Sequence, residues 1–355
     1  MIRTLIVDDS RSARMFFSRA LSDCSDVEVI GTAPDATVAA RMVAAQRPDV
    51  MTLDLEMPGL DGLSFLEQLM ASDPLPVVVV SSLTRSGSDV ALRALELGAV
   101  EVLCKPSAAQ AQSFPALLAA AVRAAGHARI LAKPTIPLFP PGTPPGRMMT
   151  PLPLADPVRV VAIGASTGGT EAIRFLIGQL PRFCPGIVIV QHLPPIYTAS
   201  FAKRLDAIGA IRVREAQGGE EILPGQALVA PGGKHVIATQ DGARLVLAIH
   251  NGPPEHFQRP SIDILFRSIA RCCSRQAIGM VLSGMGSDGA AGLLEMRQSG
   301  SYTIAQDEAT SVVYGMPRAA IACGAAERGT ALERIPTTVT AILQGRVARV
   351  EPSST

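Results

Sequence analysis

The stretch IGASTGG at residues 163–169 decides the fold of the second half of the chain, because it joins a strand pattern to a helix pattern. A short apolar run at 158–163 leads into it, and apolar residues then recur at i, i+3, i+4 and i+7 from Ile173. A serine between glycines at such a turn can expose its hydroxyl at the sheet edge, since glycine adopts backbone angles that other residues avoid. The pattern predicts an α/β fold with Ser166 as a candidate nucleophile for acyl transfer.

A candidate base and a candidate carboxylate follow two further apolar runs. His192 stands at the end of the run at 187–190, and Asp288 lies in the loop after the run at 280–282. In open α/β sheets, active sites collect at the edge formed by the carboxyl ends of the strands. Ser166, His192 and Asp288 are therefore expected to meet at that edge, although each of them lies far from the others in sequence.

The chemistry assigns a role to each of these residues. Ser166 would attack an ester carbonyl, His192 would take its proton and return it to the leaving alcohol, and Asp288 would hold the imidazole. The backbone amides of Thr167 and Met285 are candidate donors to the oxyanion. Each signal alone has a commoner explanation, since glycine-flanked serines and Asp-Gly pairs often mark turns and a lone histidine is often structural. Their joint placement at strand ends favours a serine hydrolase.

The first third of the chain carries a second set of polar residues, each at the end of an apolar run of a repeating βα pattern. These residues are Asp8 and Asp9 after the run at 4–7, Asp54 after 50–53, Ser81 after 77–80 and Lys105 after 100–104. The carboxylates repel one another unless a hard cation joins them, and Mg²⁺ takes such oxygen ligands. With the metal present, Asp54 can act as a nucleophile toward a phosphoryl group, while Lys105 and Ser81 contact its oxygens. Acidic residues at strand ends are also ordinary turn formers.

Longer motifs identify both halves with known families. Residues 1–125 resemble a two-component receiver domain, and residues 158–347 resemble the catalytic domain of the chemotaxis protein-glutamate methylesterases. The matching motifs are VDDS at 7–10, DLEMPG at 54–59 and KP at 105–106 in the first half, and IGASTGGT at 163–170, QHLPP at 191–195, APGG at 230–233, RPSID at 259–263, GMGSDGA at 284–290, QDEA at 306–309 and GMPR at 315–318 in the second. The order of the two domains also agrees with that family.

The resemblance implies a function and its site residues. The family hydrolyses glutamyl methyl esters on the cytoplasmic domains of chemoreceptors, releasing methanol, and many members also deamidate receptor glutamines. Its catalytic triad corresponds to Ser166, His192 and Asp288. In receivers a histidine kinase is the phosphodonor, the phospho-acceptor corresponds to Asp54, and the metal ligands correspond to Asp8, Asp9, Asp54 and the carbonyl of Glu56. We expect the unphosphorylated receiver to limit access to the esterase and phosphorylation to relieve that inhibition.

The expected fold class is α/β with two doubly wound domains. One is a five-stranded parallel receiver fold at 1–125, and the other is a larger, mostly parallel esterase domain at 158–347. Residues 235–249 predict an antiparallel hairpin added to that second sheet, because Asp241-Gly242 is a hairpin turn signal. A proline-rich linker at 126–157 separates the domains, since nine prolines fall between 133 and 157, and a tail occupies 348–355.

Two positions depart from the family patterns. Receivers often have an aromatic switch residue three positions before the lysine, where this chain has Val102, so an aromatic rotamer switch is not expected. The stretch PPEHFQ at 253–258 is unusual, and it precedes a region that could edge the substrate groove.

Composition narrows the class of protein. With 355 residues, 48% hydrophobic and 18% charged, the chain is typical of globular proteins and long enough for two cores. A formal net charge of +1 gives no electrostatic reason to expect binding to nucleic acid. No apolar stretch approaches the length of about 18 residues that a membrane-spanning helix needs. The six cysteines lack metal-ligand spacing, so we expect reduced thiols in a cytoplasmic protein, with Cys272 and Cys273 in helix packing.

Two other functions stay open at the level of sequence. A response regulator that acts only by binding, as a transcription factor or scaffold, is a rival, but residues 158–345 show no concentrated basic cluster of the kind that DNA-binding modules use. The other rival keeps the esterase chemistry and changes its substrate, to glutamine amides first or to another protein ester. Esters and primary amides pass through similar tetrahedral intermediates, so the sequence does not separate these substrates.

Overall fold

The computed structural model describes residues 1–57, 61–81, 85–107, 111–130 and 157–347, with the backbone alone at 85–87. The chain divides into two compact units, Met1–Ala132 and Lys133–Thr355. Residues 131–156 of the predicted linker and the predicted tail at 348–355 lie outside the described residues. The domain boundaries drawn from the sequence therefore stay predictions.

The first unit is a five-stranded parallel sheet in the order β2-β1-β3-β4-β5, which confirms the predicted receiver fold. Its elements are β1 Ile2–Val7, α1 Arg11–Ser22, β2 Val27–Ala33, α2 Ala36–Ala45, β3 Val50–Leu53, α3 Gly62–Ser72, β4 Val77–Ser81, α4 Arg85–Leu97, β5 Glu101–Cys104 and α5 Phe114–Gly126. The central strands are buried along their whole length, because helices cover both faces of a parallel sheet.

The second unit contains a seven-stranded parallel sheet in the order β15-β14-β13-β6-β7-β10-β8. The strands of the second unit are β6 Val160–Ala165, β7 Gly186–Gln191, β8 Arg212–Glu215, β9 Glu220–Glu221, β10 Gln226–Val229, β11 His235–Asp241, β12 Arg244–His250, β13 Ala277–Val281, β14 Tyr302–Gln306 and β15 Gly329–Thr330. Its helices are α6 Gly169–Gln179, α7 Pro195–Asp206, α8 Ile262–Cys273, α9 Ala290–Gln298, α10 Met316–Ala322 and α11 Ile335–Leu343, with short 3₁₀ turns at Ser274–Gln276 and Leu332–Arg334.

The strand order places a topological switch point at the centre of this sheet. The chain leaves β6 toward β7 on one side and later returns to β13 on the other side of β6. Connections that diverge in this way open a crevice beyond the carboxyl ends of the central strands, which is where α/β folds bind ligands. The loops that follow β6, β7 and β13 therefore border one crevice.

The predicted hairpin is confirmed, but its place in the fold differs from the prediction. Strands β11 and β12 pair antiparallel around Gly242, whose φ is 62°. They join β9 in a separate three-stranded sheet and do not extend the parallel sheet. The physical reason is burial, because alternate apolar residues of the hairpin, such as Val236 and Leu247, share the core of this unit with Phe266 and Ile269 of α8.

Two expectations from composition can be compared with the described residues. Within them, no helix combines the length and apolar character that crossing a bilayer requires. All six cysteines are free thiols. Cys272 and Cys273 lie in the last turn of α8. Cys273 is buried, and its hydrogen bond with Cys272, together with burial, raises the pKa of its thiol.

Candidate functional site

Ser166 lies in the turn between β6 and α6, at the switch point of the seven-stranded sheet. Its N–H donates to the carbonyl of Ser283 over 3.0 Å, and its own carbonyl accepts from the N–H of Gly169 over 2.8 Å. Gly168 provides the left-handed turn into α6, with φ of 74°. Gly284 lies so close that a Cβ there would sit 2.8 Å from the Cβ of Ser166. The backbone therefore fixes the position of the serine from both sides.

His192 enters the same edge from the neighbouring strand. Ala165 pairs with Gln191 in the ladder of β6 and β7, and the N–H of His192 donates to the carbonyl of Ala165 over 3.1 Å. The His192 Nε2 atom lies 2.9 Å from Oδ2 of Asp288, and both side chains are almost fully buried. Because Nε2 engages the carboxylate, Nδ1 is the ring nitrogen left for a serine hydroxyl.

Asp288 is held by the first turn of α8. One oxygen accepts from the hydroxyl of Ser261 over 2.9 Å and from the N–H of Asp263 over 3.0 Å, and the other accepts from the N–H of Ile262 over 2.8 Å. Burial alone would raise the pKa of Asp288, but the bonds from His192 and from these backbone groups outweigh it and hold the pKa below its ordinary value. The carboxylate therefore stays ionised while it orients the imidazole.

The supporting role of Ser261 was missed by the analysis of the sequence. A serine before the apolar residues of α8 is an ordinary N-cap signal, and Ser261 also accepts from the N–H of Ile264 over 3.4 Å. That signal predicts where α8 begins. It carries no information about Asp288, which lies 27 residues further along the chain.

Two glutamines and a serine complete the support of the turn that carries Ser166, and the sequence did not indicate their roles. Gln191 donates from Nε2 to the carbonyl of Ser166 over 2.8 Å. Gln306 accepts the N–H of Ser283 over 2.8 Å, and the hydroxyl of Ser283 donates to the carbonyl of Thr167 over 2.8 Å. These bonds lock the loops after β6 and β13 together, so their backbone amides have fixed directions.

The two candidate oxyanion donors lie on these locked loops. Thr167 directly follows Ser166 and precedes the helix start at Gly169, where backbone N–H groups point away from the helix. Met285 follows Gly284, which touches Ser166. Their assignment as donors stays a prediction.

The first unit gathers its predicted residues at the carboxyl edge of its own sheet. Val7 pairs with Leu53, so Asp8 and Asp54 leave neighbouring strands side by side. Carboxylate oxygens of Asp8, Asp9 and Asp54 all lie within 4.8 Å of one another, with Asp8 and Asp54 buried and Asp9 exposed. Oδ2 of Asp8 is buried, and Nζ of Lys105 lies 2.9 Å from it. Three clustered carboxylates beside one lysine charge keep acceptor capacity that fits a hard divalent cation such as Mg²⁺.

Lys105 supplies the positive charge beside these carboxylates. Its Nζ lies 2.6 Å from Oδ2 of Asp54 and 2.9 Å from Oδ2 of Asp8. Burial would lower the pKa of Lys105, but its bonds to both aspartates outweigh that effect and raise it. Burial raises the pKa of Asp54, and the bond from Lys105 opposes that shift.

The other predicted contacts lie around Asp54. The hydroxyl of Ser81 is buried at the end of β4 and has no hydrogen-bond partner among the described residues. The N–H of Glu56 donates to Oδ1 of Asp54 over 3.2 Å, and the Glu56 carbonyl as a metal ligand stays a prediction. Val102 is buried in β5, so no aromatic ring occupies the position of the usual receiver switch.

Comparisons with known proteins agree with this division of the chain. A family model described as CheB methylesterase matches residues 161–339, and one described as response regulator receiver domain matches residues 4–113. The protein-glutamate methylesterase/protein-glutamine glutaminase of Methylobacillus flagellatus is 46% identical over 98% of this chain and 99% of its own length. Its counterpart in Chromohalobacter salexigens is 47% identical over 98% of this chain and 99% of its own length.

A solved structure resembles the second unit. The crystal structure of the Thermotoga maritima CheB methylesterase catalytic domain is 34% identical, with a TM-score of 0.51, and the match covers 52% of this chain and 98% of that one.

Proposed function

The chain belongs to the CheB methylesterase family, and from that premise we propose that it hydrolyses glutamyl methyl esters on the cytoplasmic domains of chemoreceptors and deamidates receptor glutamines. The observation that carries the proposal is the pair of His192 and Asp288 beside Ser166, with Nε2 and Oδ2 separated by 2.9 Å at the switch point of the sheet. Ser166 itself is only half-buried at this crevice, so a substrate side chain can reach it from outside.

The proposed mechanism follows from which atoms are already engaged. Nε2 of His192 is committed to Asp288, so Nδ1 takes the proton of Ser166 as its oxygen attacks the ester carbonyl. The imidazolium that forms is stabilised by the ionised Asp288, and it then protonates the departing methanol. Water activated by the same imidazole releases the glutamate and restores the serine.

Stabilisation of the oxyanion is assigned to the N–H groups of Thr167 and Met285. Each belongs to a loop that Ser283 ties in place, so these dipoles need little reorganisation when charge develops. Removal of one such donor typically costs about 3 kcal/mol of transition-state stabilisation. A glutamine side chain presents the same acyl group with ammonia as the leaving group, which is why one site serves both reactions.

Regulation is assigned to the first unit. Asp54 would accept a phosphoryl group from a histidine kinase, with Lys105 and Ser81 contacting the phosphoryl oxygens. Mg²⁺, held by Asp8, Asp9, Asp54 and the Glu56 carbonyl, would neutralise charge on those oxygens when bound. The buried hydroxyl of Ser81 and the lysine charge already in place support this assignment. Phosphorylation then relieves inhibition of the esterase by the receiver.

The test is methanol release from methylated receptor membranes in the presence of Mg²⁺, with and without a small-molecule phosphodonor. Wild-type protein is expected to release methanol, faster with the donor, and Ser166→Ala is expected to release none. Release without any response to the donor would refute the phosphorylation switch and leave the esterase. Formation of ammonia from glutaminyl fragments, without methanol release, would make deamidation the main activity.

Removal of residues 1–125 tests inhibition by the receiver. The truncated protein is expected to release methanol faster than the unphosphorylated full chain. An unchanged basal rate would show that the first unit does not restrain the second.

A further inference from the structure

The stretch singled out at 253–258 forms a two-residue reverse turn with an unusual backbone. Glu255 and Gln258 exchange both backbone hydrogen bonds, at 3.1 and 2.8 Å, around His256 and Phe257. Both central residues have positive φ, 50° for His256 and 62° for Phe257. Tight hairpin turns with two left-handed residues strongly prefer Asn-Gly, because side chains with a Cβ are strained there. Histidine tolerates this region moderately well, but an aromatic residue such as phenylalanine is an outlier.

Packing does not explain the phenylalanine. The Phe257 side chain is 101% exposed, the highest value among the exposed large apolar side chains of the described residues. Among the residues that the structure describes, none covers this side chain, so packing within the second unit does not offset the strained backbone beneath it. Strained residues of this kind concentrate at sites of function.

The turn is held rigidly by charged side chains. Arg267 of α8 bonds Glu255 on one side and Glu295 of α9 on the other. Nε2 of His256 lies 3.0 Å from Oδ2 of Asp263. The Asp263 side chain is fully buried, and its other oxygen, Oδ1, accepts the N–H of Gly292 over 2.6 Å. A mobile loop would relax the strain, whereas these bonds hold the Phe257 ring outward in one place.

The turn stands next to the catalytic crevice. The N–H of Asp263 donates to Asp288, and Asp288 bonds His192. Asp263, which bonds His256, is therefore linked to the catalytic imidazole through two hydrogen bonds. Phe257 precedes Ser261 by four residues, and four residues span at most about 14 Å. A typical protein interface covers about 800 Å² on each partner, which corresponds to a disc of about 16 Å radius. The start of α8, bonded through Asp288 to His192, lies within that radius of the crevice, and the Phe257 turn stands beside it, at the margin of the area that a protein substrate would cover.

We propose that Phe257 is an anchor for the protein substrate of the esterase. Its ring contacts apolar side chains of the receptor polypeptide beside the glutamyl side chain that enters the crevice. The contact helps to set KM for protein substrates, and the charged residues beneath the turn act as positioning residues. This inference rests on the proposed function, and it names the surface by which that function selects its substrate. Rigid aromatic side chains provide large contact area at low entropic cost, which makes them frequent interface anchors.

The experiment compares full-length Phe257→Gly, Phe257→Tyr and wild type in methanol release from a methylated receptor fragment. Phe257→Gly is expected to raise KM about tenfold with kcat within a factor of two, because burial of a phenylalanine ring is lost only from the complex. Phe257→Tyr, which keeps the ring, is expected to stay within a factor of two in KM. Phe257→Gly is also expected to raise the midpoint of thermal unfolding of the second unit by about 2–4 °C, because glycine relieves the strained turn.

Phe183→Gly is the matched control. Phe183 is 57% exposed and precedes β7, so it lies at the opposite, amino edge of the sheet. The KM of the Phe183→Gly variant for the receptor fragment is expected to equal that of wild type. An unchanged KM for Phe257→Gly, or a lowered unfolding midpoint, would overturn the anchor and leave the proposed function intact. Absence of methanol release by wild type would overturn the proposed function and the anchor together.

Discussion

Replacement of Asp288 by asparagine probes the catalytic assignment most directly, because the structure fixes every group around the carboxylate. Oδ1 faces the hydroxyl of Ser261 and the N–H of Asp263, and Oδ2 faces His192 and the N–H of Ile262. An asparagine amide has one acceptor end and one donor end. Whichever way it turns, its NH₂ group meets one backbone N–H, donor against donor.

The size of the effect follows from these contacts. A buried donor left without an acceptor costs about 1–3 kcal/mol, and loss of the charge weakens the remaining hydrogen bonds. We expect Asp288→Asn to destabilise the second unit by about 2–4 kcal/mol, which lowers its unfolding midpoint by about 5–12 °C. The imidazolium formed during catalysis also loses its counter-charge, and a neutral partner permits the wrong tautomer. In Ser-His-Asp triads this substitution lowers kcat by about 10⁴.

The assay is methanol release at a temperature well below the unfolding midpoint of the variant, so that loss of activity reports chemistry and not unfolding. Asp206→Asn is the matched control, because Oδ1 of Asp206 accepts the N–H of Val213 over 2.8 Å at the amino edge of the sheet, and its one ion pair, with the exposed Arg212 at 3.6 Å, contributes little to stability. An amide oxygen replaces that acceptor without conflict, so stability and kcat are expected to stay near wild type. A kcat for folded Asp288→Asn within tenfold of wild type would refute the role of Asp288 as the orienting carboxylate.

Three further predictions concern other parts of the chain. Gly284→Ala is expected to lower kcat and stability, because its Cβ would lie 2.3 Å from Sδ of Met316 and 2.8 Å from Cβ of Ser166. A variant with the kcat and the urea midpoint of wild type would contradict that packing. Burial lowers the pKa of His235 below its ordinary value of 6.5, so as pH falls the unfolded state takes up a proton on this histidine before the folded state does. The urea midpoint of unfolding is therefore expected to fall as pH drops below about 6.5. A midpoint that stays constant from about pH 7 to 5 would contradict this expectation. Asp54→Asn, or removal of Mg²⁺ with a chelator, is expected to abolish the response of methanol release to a phosphodonor, and a persistent response would exclude Asp54 as the acceptor.

The parts of the fold that the sequence predicts well are those in which a local pattern carries the whole signal. The strand β3 at Val50–Leu53 and the helix α6 at Gly169–Gln179 follow from apolar runs and from helical periodicity. Because parallel strands place their carboxyl ends at one edge, the positions of Asp54, Ser166 and His192 follow from the same reasoning. Local pattern and topology together thus locate both sites.

The hydrogen bonds that support the candidate catalytic residues could not be predicted in this way. Asp288 depends on the N-cap of α8, and Ser166 depends on the side-chain amide of Gln191, although nothing in the local sequence pairs these groups. The hairpin at β11 and β12 shows the same limit, since Gly242 predicts its turn but only burial against α8 decides which sheet it joins. Contacts between distant segments are set by the whole core, and one sequence does not reveal them.

The contrast between Asp54 and Asp288 shows how environment separates two chemical roles of one side chain. Both carboxylates are buried at the carboxyl edge of a parallel sheet, but burial raises the pKa of Asp54, whereas hydrogen bonds from His192 and the start of α8 hold the pKa of Asp288 down. In the proposed mechanism Asp288 remains an anion throughout turnover, and fixed backbone dipoles suit that role because they cannot leave. In the proposed regulation Asp54 instead reacts, and its main partner is the flexible cation Lys105, which can follow charge from the carboxylate to an attached phosphoryl group. When the carboxylate is modified, Lys105 beside Asp54 can rearrange, whereas the backbone groups around Asp288 cannot. This difference supports the assignment of the regulatory chemistry to Asp54.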